Sequence, residues 1–218
     1  MSIWAKTLYK GQSQFNGEVK VVENLGVRRL IAAGFTQSQN LRADGRTGLY
    51  YWDSLVPEEV SLAADARVLL LGLGAGTVAK IITHRFGPVA IDGVEIDPLM
   101  VSLGQKYFAL DEPNLNIIIA DAASFVKEAR FKYDLICLDI FLGGVVPKEF
   151  ESEEFFTDVR ELLRDEGLLA INKIFSGQEE LKAFEEVVKN VFPLVRSIVV
   201  RGDPKLDNVI VYAQKGLR

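Results

Sequence analysis

Three glycines stand at alternate positions in LLLGLGAGT, Gly72, Gly74 and Gly76, directly after an apolar run. A turn of this composition lets backbone approach a ligand closely while the N–H groups of a following helix face it, which suits phosphates, dinucleotides or nucleosides. The dinucleotide fingerprint is G-x-G-x-x-G; here the third glycine comes one position early and Thr77 takes the place of the last. Glu95, in VEIDP, lies nineteen residues beyond Gly76. An acid at that spacing can accept both hydroxyls of a ribose, and Asp97 is the better candidate for capping the helix that opens at Pro98. Asp121, in IIIADAASF, can accept from the amino group of an adenine and equally suits the N-cap of the following helix. Asp139 closes the run YDLICLD. A glycine turn, a glutamate and two aspartates thus follow four successive apolar runs.

Such residues converge only if the runs are neighbouring strands. The pattern predicts strands at 67–72, 89–95, 115–120, 133–139 and 167–173, with helices at 76–86, 98–109, 122–130 and 153–164 between them. Ser176 and Glu179 have the spacing of a capping box opening a further helix that runs to about Asn190. VRSIVVRGDPKLDNVIVYAQ reads as an antiparallel hairpin turning at Gly202-Asp203-Pro204. Alternating β and α with almost continuously apolar strands predicts an α/β fold with a mostly parallel sheet covered on both faces. In such sheets ligands bind beyond the carboxyl ends of the strands, where all four acidic or glycine-rich features fall. Residues 1–56 differ: VKVVEN and RRLIAAG suggest a hairpin about Asn24-Leu25-Gly26, and Asp44-Gly45 marks a turn before the aromatic LYYW. The expected division is an N-terminal β region, 1–56, and a catalytic domain, 57–218.

The 218 residues are 49% hydrophobic and 25% charged, a globular composition, and the net charge of −5 gives no support to a nucleic-acid partner. No apolar run reaches the roughly 20 residues of a membrane span, and the N-terminus lacks the apolar stretch of a signal peptide. The lone Cys137 fits a small core residue in a reducing, cytoplasmic setting better than a nucleophile. His84, the one histidine, is expected near a helix C-terminus on the surface, and no cluster has metal-ligand spacing. The acidic EFESEEFF reads as a helix start capped by Ser152, with Phe155 and Phe156 in the core.

In family order, SQFNGEVKVVE, LIAAGFTQ, YYWDSL, GLGAG, VEIDP, ADAASF and YDLICLD resemble the spermidine synthase-like branch of class I S-adenosylmethionine-dependent transferases. The resemblance covers nearly the whole chain. It implies a Rossmann-like class I methyltransferase fold: a seven-stranded sheet with a C-terminal antiparallel hairpin and a small N-terminal β appendage. It implies a cofactor held by Gly72, Leu73, Gly74, Ala75, Gly76, Glu95, Ile96, Asp121, Ala122 and Gln37. Asp139 matches the catalytic aspartate that prepares an acceptor amine, with Tyr51 beside it; Asn16 stands where the family usually has glutamine. Members are commonly dimers, and exposed aromatics such as Trp4 and Trp52 could serve a homodimer contact.

Two departures bear on the transferred group. Where aminopropyltransferases carry an aspartate for the ammonium of decarboxylated S-adenosylmethionine, this chain has Ala75, and the second aspartate, three residues after the catalytic one, is replaced by Leu142. A lone buried ammonium without an anion costs several kcal/mol in order of magnitude, whereas S-adenosylmethionine brings its own carboxylate, which a helix N-terminus favours. The expectation is therefore methyl transfer from S-adenosylmethionine to an amine on a small molecule or a protein. Aminopropyl transfer is the alternative if Asp53 or Glu149 folds over the site, and a noncatalytic nucleoside-binding protein is a further one. The glycine spacing and Asp121 disfavour a nicotinamide-dependent oxidoreductase.

Overall fold

A computed structural model describes residues 5–48, 51–203 and 206–216. The expected N-terminal hairpin is the centre of a four-stranded antiparallel meander, β1 (Lys6–Ser13), β2 (Gly17–Asn24), β3 (Val27–Ala32) and β4 (Phe35–Gln39), paired in that order. The β2–β3 link is the two-residue turn Leu25-Gly26, both at positive φ (51° and 78°). That geometry matches the twist of the strands it joins. The remaining elements follow: α1 (Trp52–Leu55), β5 (Arg67–Leu71), α2 (Thr77–Phe86), β6 (Ala90–Glu95), α3 (Pro98–Phe108), β7 (Leu115–Ile119), α4 (Ala122–Glu128), β8 (Tyr133–Leu138), α5 (Glu153–Leu162), β9 (Leu163–Ile174), α6 (Gln178–Val191), β10 (Leu194–Asp203) and β11 (Leu206–Gln214). The seven-stranded sheet runs β10-β11-β9-β8-β5-β6-β7, with β9, β8, β5, β6 and β7 parallel and the β10–β11 hairpin antiparallel.

The central strands are apolar throughout because both faces are covered. Leu69, Leu71, Ile136 and Leu138 point into a core closed by α4, α5 and α6, with Phe155, Phe156 and Phe184 stacked edge to face inside it. Val68, Leu70, Leu135 and Cys137 point to the other face, against Leu55, Val78, Ile81 and Ile82 of α1 and α2. Each such fully buried aliphatic side chain contributes about 1.5–3 kcal/mol. A third cluster, Val19, Val21, Leu30 and Ala32 with Ala75, Met100, Leu103 and Phe108, fastens the meander onto α3.

Several boundaries differ from the sequence pattern. Helix α5 stops at Leu162, two residues early, because Leu163 is fully buried and already pairs with Tyr133 at the start of a 12-residue β9. The reciprocal partner of Ser176 is Glu180, not Glu179: the Glu180 carboxylate accepts from the Ser176 N–H (2.8 Å) and hydroxyl (2.7 Å), and Gly177 is the N-cap. Ser152 caps α5 as expected, accepting from Phe155 N at 3.2 Å. His84 lies in the last turn of α2, against the Asp44-Gly45 turn. The expected Pro204 of the hairpin turn, Leu49 and Tyr50 of the aromatic cluster, and Trp4 lie outside the described residues, while Trp52, expected to be exposed, is 1% exposed because it packs with Leu55 and Val56 in the core.

Candidate active site

Strand order reverses between β5 and β8, the place where a doubly wound sheet opens a crevice at its carboxyl edge. The two strand ends there touch. A Cβ placed on Gly72 would lie 2.2 Å from the carbonyl oxygen of Asp139, so only glycine lets β5 end beside β8. Gly72, Gly74 and Gly76 all have positive φ (92°, 56° and 88°), folding the chain sharply back into α2. The crevice holds about 730 Å3 of empty space open to solvent.

Of the residues picked from sequence, Gly72, Leu73, Gly74, Glu95, Ile96, Asp121, Ala122, Gln37 and Asp139 line this crevice. Ala75, Gly76 and Tyr51 do not. The Ala75 methyl is 1% exposed and packs with Met100, Leu103 and Phe108, while Gly76 lies under Leu110 and Tyr51 reaches the site only through its hydroxyl. The amides of the turn also differ from expectation. Gly72 and Leu73 donate to Val94 O, Gly74 to Glu95, Ala75 to Ser38 Oγ and Gly76 to Leu73 O, each at 2.8–3.0 Å. The turn therefore offers a concave backbone surface, with these five N–H groups already taken by protein acceptors.

Glu95 is fixed by two backbone donors, Gly74 N on Oε2 (2.8 Å) and Asp97 N on Oε1 (3.0 Å). Burial raises its pKa and those two bonds oppose the rise. Asp97, as expected, does the capping: Oδ1 accepts from Leu99 N (2.9 Å), and Oδ2 takes the Asn16 amide (2.9 Å) and the Ser13 hydroxyl. Those bonds tie the meander's β1–β2 turn to α3 and bring Asn16 to the crevice. Asp121 is the N-cap of α4, accepting from Ser124 N at 2.8 Å, and faces the crevice as well.

Asp139 is held by donors on either side. Tyr51 Oη donates to Oδ2 (3.0 Å) and Asn172 Nδ2 to Oδ1 (2.8 Å), while Asn208 Nδ2 donates to Asn172 Oδ1 (2.9 Å). Burial pushes the carboxyl up to about 6, against the bonds from Asn172, Tyr51 and Trp52 that lower it. The Tyr51 phenol is raised well above its ordinary value, chiefly by burial and then by the charge of Asp139, so it stays protonated and donates. Cys137 is buried, its thiol raised by burial and pointed at Leu55 O, which leaves it a core residue.

Sequence reading passed over Asn172, Asn208 and Ser38, and gave Thr77 only the place of a glycine. Ser38 accepts from Ala75 N and donates to Gln37 O, and Thr77 Oγ1 both accepts from and donates to the Gln39 backbone. Together they sew β4 to the glycine turn. The one signal in sequence was a polar residue, Asn172, inside the apolar run LLAINKIF. Among the described residues no cluster has the makings of a metal site, and no helix is long and apolar enough to cross a membrane.

The model of the spermine/spermidine synthase domain matches residues 59–213. A probable polyamine aminopropyl transferase of Bifidobacterium longum is 31% identical over 199 residues, 88% of this chain and 44% of that protein. An N-terminal histidine N-methyltransferase of Emericella nidulans is 32% identical over 165 residues, 70% of this chain and 28% of that protein. The chain thus spans less than half the length of these curated relatives. Among solved structures, a probable spermidine synthase from Corynebacterium glutamicum superposes with a TM-score of 0.79 at 20% identity, covering 97% of this chain and 80% of that one. Human methyltransferase-like protein 13 in complex with SAH gives 0.62 at 25% identity, covering 78% and 77%.

Proposed function

Because the chain belongs to the spermine/spermidine synthase domain family, we propose that it is an S-adenosylmethionine-dependent methyltransferase acting on an amine. Supporting a nucleoside cofactor of this kind are a strand-end glycine turn that admits close approach and two acids in the crevice wall, Glu95 suited to a ribose and Asp121 to an adenine amino group. When bound, S-adenosylmethionine supplies an electrophilic methyl on a sulfonium.

The observation that carries methyl over aminopropyl transfer is position 75. A decarboxylated cofactor ends in an ammonium that needs an anion, and Ala75, whose methyl is turned out of the crevice into apolar side chains, supplies none. Besides Glu95, which backbone donors hold, the polar wall near the turn is Asn16, Gln37, Ser38 and Thr77, neutral residues that include donors suited to a carboxylate. The acids that could have replaced the missing charge are elsewhere: Asp53 accepts from Thr47 and Gly48 and lines a separate cavity, and Glu149 is not in the crevice wall. Aminopropyl transfer stays as the second reading because of the likeness to polyamine aminopropyltransferases.

The residues at the β8 end do the proton work. An amine of ordinary pKa near 10 is mostly protonated at neutral pH, and the apolar wall around Asp139 disfavours its charged form. Asp139, held by Tyr51 and Asn172 with a lone pair to spare, accepts an N–H of the incoming amine, fixes its direction and receives its proton. Alignment of the two reactants supplies much of the remaining rate. Mass spectrometry of an amine panel incubated with S-adenosylmethionine tests the reading. A gain of one methyl that is abolished in Asp139→Asn, with cofactor binding retained, is expected; aminopropyl products from the decarboxylated cofactor alone would overturn it.

A further inference from the structure

The acceptor side of the crevice has a composition of its own. Beyond Asp139 the wall is Ile140, Phe141, Leu142, Phe150 and Trp52. The other acids in the lining, Glu95 and Asp121, belong to β6 and α4 on the opposite side of the β5–β8 junction. Leu142 opens a tight hairpin, Leu142-Gly143-Gly144-Val145, closed by Leu142 N to Val145 O (2.9 Å) and the reverse bond (3.2 Å). The hairpin is braced from outside: a Cβ on Gly144 would lie 2.8 Å from the Phe35 ring, so β4 and this turn meet across an apolar edge that leaves Phe35 and Val145 exposed. Of the nearby acids, Glu151 pairs with the buried Lys173, Asp53 holds the 47–48 backbone, and Glu149 is exposed and outside the crevice wall.

From this wall we infer that the acceptor is an amine with a single positive charge carried on an apolar group, and that Leu142 is a selecting residue. The inference rests on the proposed amine transfer. A primary ammonium reaching Asp139 is matched by that carboxylate and the Tyr51 oxygen. A second ammonium a few carbons further along would lie against Leu142, Phe141 and Phe150 without an anionic partner, and its hydration would be lost uncompensated. An alkyl or aromatic continuation buries apolar area in the same place. The amine can come from a free alkylamine or from the amino end of an apolar peptide, since both present the same chemistry.

The test compares hexylamine with cadaverine, a diamine of equal heavy-atom length, and with leucyl-leucine amide, by calorimetry on the full chain with and without S-adenosylhomocysteine. Hexylamine or the peptide amide should bind at least about 30-fold more tightly than cadaverine. Whichever of the two binds identifies the source. Leu142→Asp, which installs an anion on a half-buried turn residue, should narrow that ratio at least tenfold in favour of cadaverine. Cadaverine binding as tightly as hexylamine, no binding by any amine, or an unchanged ratio in Leu142→Asp would overturn the inference. Failure of S-adenosylhomocysteine to bind would strike the proposed function instead, because the amine titrations without it stand on their own. Leu142→Ala, which keeps the turn and adds no charge, controls for misfolding: it should lose hexylamine affinity without gaining cadaverine affinity.

Discussion

Replacing Asp139 by asparagine should end transfer and, at the same time, stabilise the fold at alkaline pH. The carboxyl is raised from 3.8 to about 6, chiefly by burial, so the ionised form is disfavoured in the folded protein. A raised carboxyl pKa means that the relative stabilisation is complete below 3.8 and is lost as pH climbs through about 6. The gap of roughly two pH units corresponds to about 3 kcal/mol, at about 1.36 kcal/mol per unit. Asparagine keeps an acceptor for Asn172 Nδ2 and turns its amide on the Tyr51 oxygen, which accepts as readily as it donates. Urea denaturation of the wild type and Asp139→Asn should therefore show a stability difference that shifts toward the variant by about 2–3 kcal/mol between pH 4 and pH 8. A difference that stays flat across this range would refute the claim that Asp139 pays a burial penalty for its position.

Two other substitutions probe how the site is held. Asn172→Leu removes a bond that lowers the Asp139 pKa, so the acidic limb of kcat/KM should move from about 6 upward by about one pH unit; a uniform loss with the limb in place would mean that Asn172 only packs. Gly72→Ala should cost at least about 2–3 kcal/mol in urea melts, because its φ is 92° and its Cβ would strike the Asp139 carbonyl, whereas Gly143→Ala, with φ 59° and open space around it, should cost less than about 1.5 kcal/mol.

The parts of the site legible in sequence were those written within one strand and its following turn. Gly72, Glu95, Asp121 and Asp139 each end an apolar run, and the rule that ligands sit at strand carboxyl ends gathers them without knowledge of the packing. Asn172 and Asn208 were illegible because their partnership depends on β9 and β11 lying side by side, 36 positions apart in the chain. Ser38 and the role of Thr77 were missed for the same reason: each acts across the joint between the meander and the glycine turn. Strand β1, KTLYKGQS, lies at the edge of its sheet with no buried residue, so it lacks the alternation by which strands are recognised. The side-chain direction of Ala75 could not be read from a glycine pattern either. It was set by α3 and the meander closing over it.

The measurement that bears most directly on the site is a pair of calorimetric titrations, S-adenosylmethionine against its decarboxylated form. With no acid at position 75, Glu95 held by backbone donors, and the amides of Asn16 and Gln37 and the Ser38 hydroxyl in the crevice wall, the carboxylate-bearing form should bind at least about tenfold more tightly, since a lone ammonium there lacks an anion of its own. Tighter binding of the decarboxylated form would contradict the methyl-transfer account.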